Sequence, residues 1–188
     1  MVRCFLRMLE EDKNGCGSAK LKERIAHDLI IRRVRQDELN KLVSVYLSAY
    51  EGLEEYAYTS GSEVRSYLRW LYRGDPDGFF VAELDGKVVG FVAVHTNWWD
   101  KRIGRTAEIH ELVVHKKYQR IGIGTKLMEC AIEHAIESGC NFVSLWVGSK
   151  NTVAREWYRR LGFEEVGEGY YWVRMIKCLS ISHPERND

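Results

Sequence analysis

The sequence predicts one mixed α/β (α+β) domain, and three observations carry that prediction. β-rich runs and helical apolar stripes succeed one another along the chain. The length of 188 residues corresponds to a single domain of ordinary size. One strand-helix-strand stretch, Ala107 to Val147, has the form of a right-handed crossover and therefore supplies a parallel strand pair.

Residues 1–28 read as an N-terminal extension, because Lys13-Asn14-Gly15-Cys16-Gly17-Ser18 breaks the chain before a short charged stretch. The domain is expected over 29–179, with 180–188 as a polar tail. Leu29 to Val34 reads as a strand. Gln36 to Tyr50 carries Leu39, Leu42, Val43, Tyr46 and Leu47 at helical spacing, and Ser62 to Tyr72 repeats the pattern. The period then changes: Phe79 to Leu84 and Val88 to His95 are strands joined by Asp85-Gly86, a strong hairpin signal. Ala107 to Val114 is another strand. Thr125 to Ser138 places Leu127, Met128, Ala131, Ile132, Ala135 and Ile136 on one helical stripe that stops at Gly139. Phe142 to Val147 is a strand, Asn151 to Leu161 a helix ended by Gly162, and Glu164 to Val166 with Tyr170 to Lys177 a closing hairpin.

Composition limits the function classes. Apolar residues make up 45% of the chain and aromatics 12%, which suffices for a core without metal or disulfide staples. The 28 Lys and Arg against 27 Asp and Glu give a net charge of +1, so no global field favours nucleic acid or a membrane surface. The five cysteines are odd in number and form no C-x-x-C pair, and no H-x-x-x-H pair occurs, so neither a disulfide framework nor a metal site is expected. The chain shows no apolar run long enough for a membrane span and no signal-peptide pattern at Met1 to Met8, which makes a cytoplasmic location the expectation. Cys130 lies beside a helical apolar stripe with no adjacent base and is expected to be a packed thiol.

The most informative segment is His115-Lys116-Lys117-Tyr118-Gln119-Arg120-Ile121-Gly122-Ile123-Gly124-Thr125-Lys126, between a strand and a helix. It is basic and free of acids. Glycines at a helix N-terminus let bare backbone N–H groups approach an anion, and the helix dipole adds to the attraction. The P-loop pattern is absent, and Leu127 stands where the dinucleotide fingerprint needs its third glycine. On the glycines alone, phosphate binding and a plain strand-to-helix loop with a basic rim fit equally.

Gln119-x-x-Gly122-x-Gly124 after a Leu-Val-Val strand resembles the acyl-CoA-binding signature of the GNAT superfamily of N-acetyltransferases. Asn151-x-x-Ala154-x-x-x-Tyr158-x-x-Leu161-Gly162-Phe163 is similar to that superfamily's later helix motif and follows at the right distance. The resemblance implies a mostly antiparallel central sheet with helices on both faces and one splayed parallel pair. It implies acetyl-CoA as donor, its diphosphate held by backbone N–H groups of Gln119, Arg120, Ile121, Gly122, Ile123, Gly124 and Thr125. Its thioester and pantetheine would meet the backbone of Leu112, Val113 and Val114, with Asn151 and Ala154 completing the cofactor site. Asn151 also reads as a helix N-cap.

Transfer of an acetyl group to an amine needs a neutral amine, oxyanion stabilisation and a proton for the thiolate. Strict alternation over Ala107 to Val114 puts Glu108, His110, Leu112 and Val114 on one face and Ala107, Ile109, Glu111 and Val113 on the other. By resemblance Glu108 is the first choice of general base and His110 the second; Glu111 is set aside unless a bulge resets the alternation. Tyr158 matches the family's frequent general acid, although Ala154, Trp157, Tyr158 and Leu161 also form a plain core stripe.

The resemblance also implies an acceptor cleft between Tyr50 to Thr59 and a loop at Thr96 to Lys101, where Glu54, Tyr56, Tyr58 and Trp98 are expected as binding residues. Their acidic and aromatic character suits a cationic small molecule or peptide amine. Two other classes fit parts of the sequence: a catalytically idle CoA-binding sensor or interaction module, and a nucleic-acid binder using His115 to Arg120 and Ile31 to Arg35, the second disfavoured by the near-zero charge. A homodimer is compatible with this reading.

Overall fold

The computed structural model describes residues 28–179, and the expected extension and tail lie outside that range apart from Asp28. Seven strands form one sheet in the order β1-β2-β3-β4-β5-β7-β6. They are β1 (Ile30–Arg33), β2 (Phe79–Leu84), β3 (Lys87–Asp100), β4 (Gly104–Val114), β5 (Phe142–Gly148), β6 (Glu164–Gly169) and β7 (Trp172–Cys178). Every neighbouring pair is antiparallel except β4 and β5. Helices α1 (Leu42–Ala49) and α2 (Gly61–Gly74) cover one face, and α3 (Ile123–Glu137) and α4 (Thr152–Arg160) cover the other. The expected mixed architecture is therefore present.

Local chemistry accounts for most boundaries. Ser60 accepts from the Glu63 N–H while the Glu63 carboxylate accepts from the Ser60 N–H, a reciprocal cap that opens α2. Asp85 and Gly86 both have positive φ, 52° and 71°, as a two-residue hairpin with the twist of its strands requires. α3 begins at Gly122 in the left-handed region, and Asn151 caps α4 by accepting from the Ala154 N–H at 3.1 Å.

Two expectations need correction. The stripe from Gln36 to Tyr50 is not one helix, because Gln36–Lys41 winds as a 3₁₀ turn before α1. There the buried Glu38 carboxylate accepts from the Arg35 N–H at 2.8 Å and from both terminal nitrogens of Arg32 at 2.6 and 2.9 Å, fixing a tight first turn. Likewise Thr96 to Asp100 is not a loop. β3 and β4 continue as a long ribbon in which Trp98 faces Thr106 and Trp99 faces Arg105, so both tryptophans are strand residues.

Candidate active site

β4 and β5 pair at only three positions, Ala107 with Val143, Glu108 with Ser144 and Ile109 with Leu145, and beyond Ile109 the two strands part. Where they part, β4 carries a bulge. Ala93 faces Glu111 while Val94 faces Ile109, which leaves His110 as the extra residue. The extra residue resets the alternation. Ala107, Ile109, Leu112 and Val114 all enter the core beneath α3 and α4, whereas Val113 packs on the α1 and α2 side. Glu111 joins that second side, where the Tyr50 hydroxyl donates to its Oε1 at 2.8 Å. The reading that set Glu111 aside and grouped Leu112 and Val114 with Glu108 is thus corrected by the bulge.

The three acid-base candidates occupy different environments. Glu108 is fully buried and engaged through both oxygens: Arg174 Nη1 donates to Oε1 at 2.6 Å, and the Ser144 hydroxyl donates to Oε2. Burial pushes its carboxyl above the ordinary value, opposed by the Arg174 charge. Arg174 in turn donates to Asp100 Oδ2 at 2.9 Å and lies over the Trp146 ring at 5.1 Å. His110 is fully buried among the rings of Trp70, His95 and Trp98, with centroids 4.9, 4.0 and 4.7 Å away. Neither of its ring nitrogens has a hydrogen-bond partner among the described residues. Burial, reinforced by the neighbouring His95, pushes its pKa down to about 2, so the ring is neutral at physiological pH. His95 Nε2 donates to Leu71 O at 2.9 Å.

On the opposite face the loop from His115 to Gly122 turns β4 into α3. The Gln119 amide donates to Val114 O at 2.9 Å, closing the loop onto the strand end, so this side chain has a structural role of its own. Arg120 and Gly122 both have positive φ, 65° and 94°. Backbone of that form gathers N–H groups into a concavity suited to an anion. The first turn of α3 contains no acid and its N-cap makes no side-chain hydrogen bond. A Cβ at Gly122 would meet nothing within 4 Å, so the backbone there is open to an incoming group. The chemistry of this N-terminus fits a diphosphate. Ile123 and Gly124 are buried at its base, with Thr125 partly covered. Tyr158 on α4 is fully buried between Trp157 and Phe163, and Ala154 is buried one turn earlier.

The four expected acceptor residues do not share one surface. Tyr58 and Trp98 lie on a continuous series of ring contacts that runs Tyr58, Tyr67, Trp70, His110, Trp98. Tyr56 is buried against Trp172 and over Gly148 at the end of β5. Glu54 is exposed and accepts from the Gly52 N–H at 2.8 Å, which holds its carboxyl below the usual range, while Glu51 pairs with Lys116 at 3.1 Å. Glu51 and Glu54 are therefore engaged with local partners. Cys130 is half-buried and burial pushes its thiol up to about 11. No group of three His, Cys, Asp or Glu side chains among the described residues could hold a metal ion. No helix of those residues is long and apolar enough to cross a membrane.

The sequence reading missed Arg174, Ser144 and the Tyr50 partner of Glu111. A signal existed for the first two. Arg174 interrupts the apolar run Trp172-Val173-Arg174-Met175-Ile176, and Ser144 interrupts Phe142-Val143-Ser144-Leu145-Trp146, as polar residues aimed at a buried partner must.

A splayed strand pair with a bulge beside it, followed by a glycine turn into a helix, is the arrangement at the centre of this sheet. The chain belongs to the acetyltransferase (GNAT) family, whose model matches residues 39–163. It is 41% identical over 179 residues to an uncharacterized N-acetyltransferase of Methanocaldococcus jannaschii, covering 93% of this chain and 78% of that one. Its structure resembles the crystal structure of a Pyrococcus horikoshii protein with a TM-score of 0.75 and 39% identity, covering 82% of this chain and 100% of the other. The PaiA N-acetyltransferase of Thermoplasma acidophilum, solved with coenzyme A, shares the fold at a TM-score of 0.64 and 20% identity, over 80% of this chain and 99% of its own.

Proposed function

We propose that the protein transfers the acetyl group of acetyl-CoA to a primary amine directly, within a ternary complex. The observation that carries this reading is the pairing of an open, acid-free helix N-terminus at Gly122 with a strand pair that parts at Ile109, where Glu111 and His110 stand. The first suits the diphosphate. The second leaves a gap in which a thioester can reach an amine. The coenzyme A in the Thermoplasma acidophilum relative supports the same donor here.

The amine nitrogen attacks the thioester carbonyl carbon, the C–S bond breaks, and the amine's surplus proton must leave. Glu111 is the better acceptor of that proton. Glu108 is committed to Arg174 and Ser144, and His110 is too weakly basic in its apolar surroundings. A hydrogen bond from the neutral Tyr50 hydroxyl orients Glu111 without adding a charge. Tyr158 is assigned to protonate the departing thiolate, a transfer uphill by about 2 kcal/mol from ordinary phenol and thiol pKa values. Peptide amines and cationic small amines are the acceptor classes to screen first.

The test compares pH–rate profiles of wild type, Glu111→Gln, Glu108→Gln and Tyr158→Phe with one amine at saturating acetyl-CoA. Loss of the alkaline-rising limb only in Glu111→Gln supports the assignment. The same loss only in Glu108→Gln would return the base to Glu108.

A further inference from the structure

A groove of about 530 Å³ runs beside α2, lined by Tyr58, Ser62, Glu63, Ser66, Tyr67 and Trp70. Its floor is aromatic. The Tyr67 and Trp70 rings stack at 5.9 Å with an interplanar angle of 12°, and Tyr58 leans on Tyr67 at 5.3 Å. One end of this stack is open, since Trp70 is 44% exposed on a helix whose other large apolar side chains are buried or half-buried. The groove also ends at the reacting region. The Tyr67 hydroxyl donates to His110 O at 3.2 Å, and the edge of Trp70 meets the His110 ring, so the groove floor touches the β4 bulge directly.

A second, independent observation points to a ligand. Burying a polar side chain without partners is unfavourable, and His110 buries both ring nitrogens with none among the described residues. The rings that enclose it are His95, Trp98 and Trp70, and the last of these lines the groove. A polar group entering beside Trp70 would give His110 the partner it lacks, while a flat apolar group behind it would cover the open stack.

We propose that this groove receives the acceptor's side group and selects amines that carry an aromatic ring. The proposal rests on the transferase reading and narrows its substrate class. Ser62 and Ser66 place hydroxyls along the groove, which suits an amide-bearing skeleton such as an amino-acid amide or a peptide N-terminus. Polyamine-like acceptors would gain little from it.

The experiment titrates the CoA-saturated protein with phenylalanine amide and with alanine amide by calorimetry, and repeats this for Trp70→Ala and Trp70→Phe. The expected result is that wild type binds phenylalanine amide about three- to ten-fold more tightly, the size of one good aromatic contact. The preference should vanish in Trp70→Ala and largely return in Trp70→Phe. Equal affinity for the two amides, no binding of either, or an unchanged preference in Trp70→Ala overturns the proposal. Acetylation of both amides is followed in parallel with acetyl-CoA. Preferential binding without any acetylation would leave the groove standing and defeat the transferase reading, whereas acetylation without preference would do the reverse.

Discussion

Arg174 and Glu108 form a buried ion pair at 2.6 Å that ties β7 to β4 beneath the point where β4 and β5 part. The same guanidinium reaches Asp100 near the tip of the β3-β4 ribbon, so one side chain braces the splay and the ribbon together. Continuing from Glu108 through Ser144 to the Thr106 hydroxyl, the network crosses four strands. Its position holds Glu108, in register with His95 and one residue from the strand opening, between two hydrogen-bonded partners.

Removing Arg174 strands the Glu108 charge. Arg174→Met is expected to lower stability by roughly 3–5 kcal/mol, the usual effect of breaking a buried pair from one side. The pH dependence has a definite sign. Burial already holds the Glu108 carboxyl above its ordinary value, so its favourable contribution is complete at low pH and is lost as pH rises through the raised value. Without the opposing Arg174 charge that rise grows. Denaturant unfolding should therefore show a larger deficit at high pH than at low pH. Adding Glu108→Gln should recover part of the loss, and an equal deficit at both pH values would contradict the account.

His110 and His95 predict the acid limb of stability. Both are held neutral by burial, His110 most strongly, so the unfolded chain binds protons that the folded chain refuses. Their contribution is present above the ordinary imidazole pKa of about 6.5 and is lost as pH falls below it. The His110 ring resonances should show no titration between about pH 8 and about pH 4 in the folded protein. A midpoint near the ordinary value would mean that the aromatic enclosure is open to solvent.

Gly74 closes α2 directly against His95. A Cβ there would lie 2.0 Å from Cε1 of that ring, which no small adjustment relieves. Gly74→Ala should destabilise by roughly 1–3 kcal/mol through overpacking. Because the clash has one partner, Gly74→Ala with His95→Ala should lose less than the two single variants added together, a coupling read from a double-mutant cycle.

How far the sequence revealed the fold depended on the range of the interactions involved. The stripe of α3, the Asp85-Gly86 hairpin and the β4-α3-β5 crossover are written in local periodicity and turn chemistry, and all three are present. Other features depend on partners distant in sequence. Glu38 tightens the start of α1 only because Arg32 and Arg35 converge on it, and the β3-β4 ribbon outruns its apolar run because Arg105 is tied to Thr96 O and Ser138 O. The bulge at His110 mattered most for the candidate site. One extra residue moved Glu111 to the face of the α1-α2 layer, and strict alternation cannot announce such a residue. Gln119 and Asn151 were legible because their motifs are short, whereas Arg174 needed the sheet order to bring β7 beside β5.

The proposed reaction is acetyl transfer from acetyl-CoA held at the Gly122 turn. Its most direct test incubates the protein with acetyl-CoA and an amine panel and quantifies acetylated amine and free CoA together, in wild type and in Gly124→Glu. The account predicts equal amounts of both products in wild type. It predicts no transfer in Gly124→Glu, where a side chain and a negative charge would oppose the diphosphate at the N-terminus of α3. CoA release without acetylated amine, or undiminished transfer by folded Gly124→Glu, would contradict it.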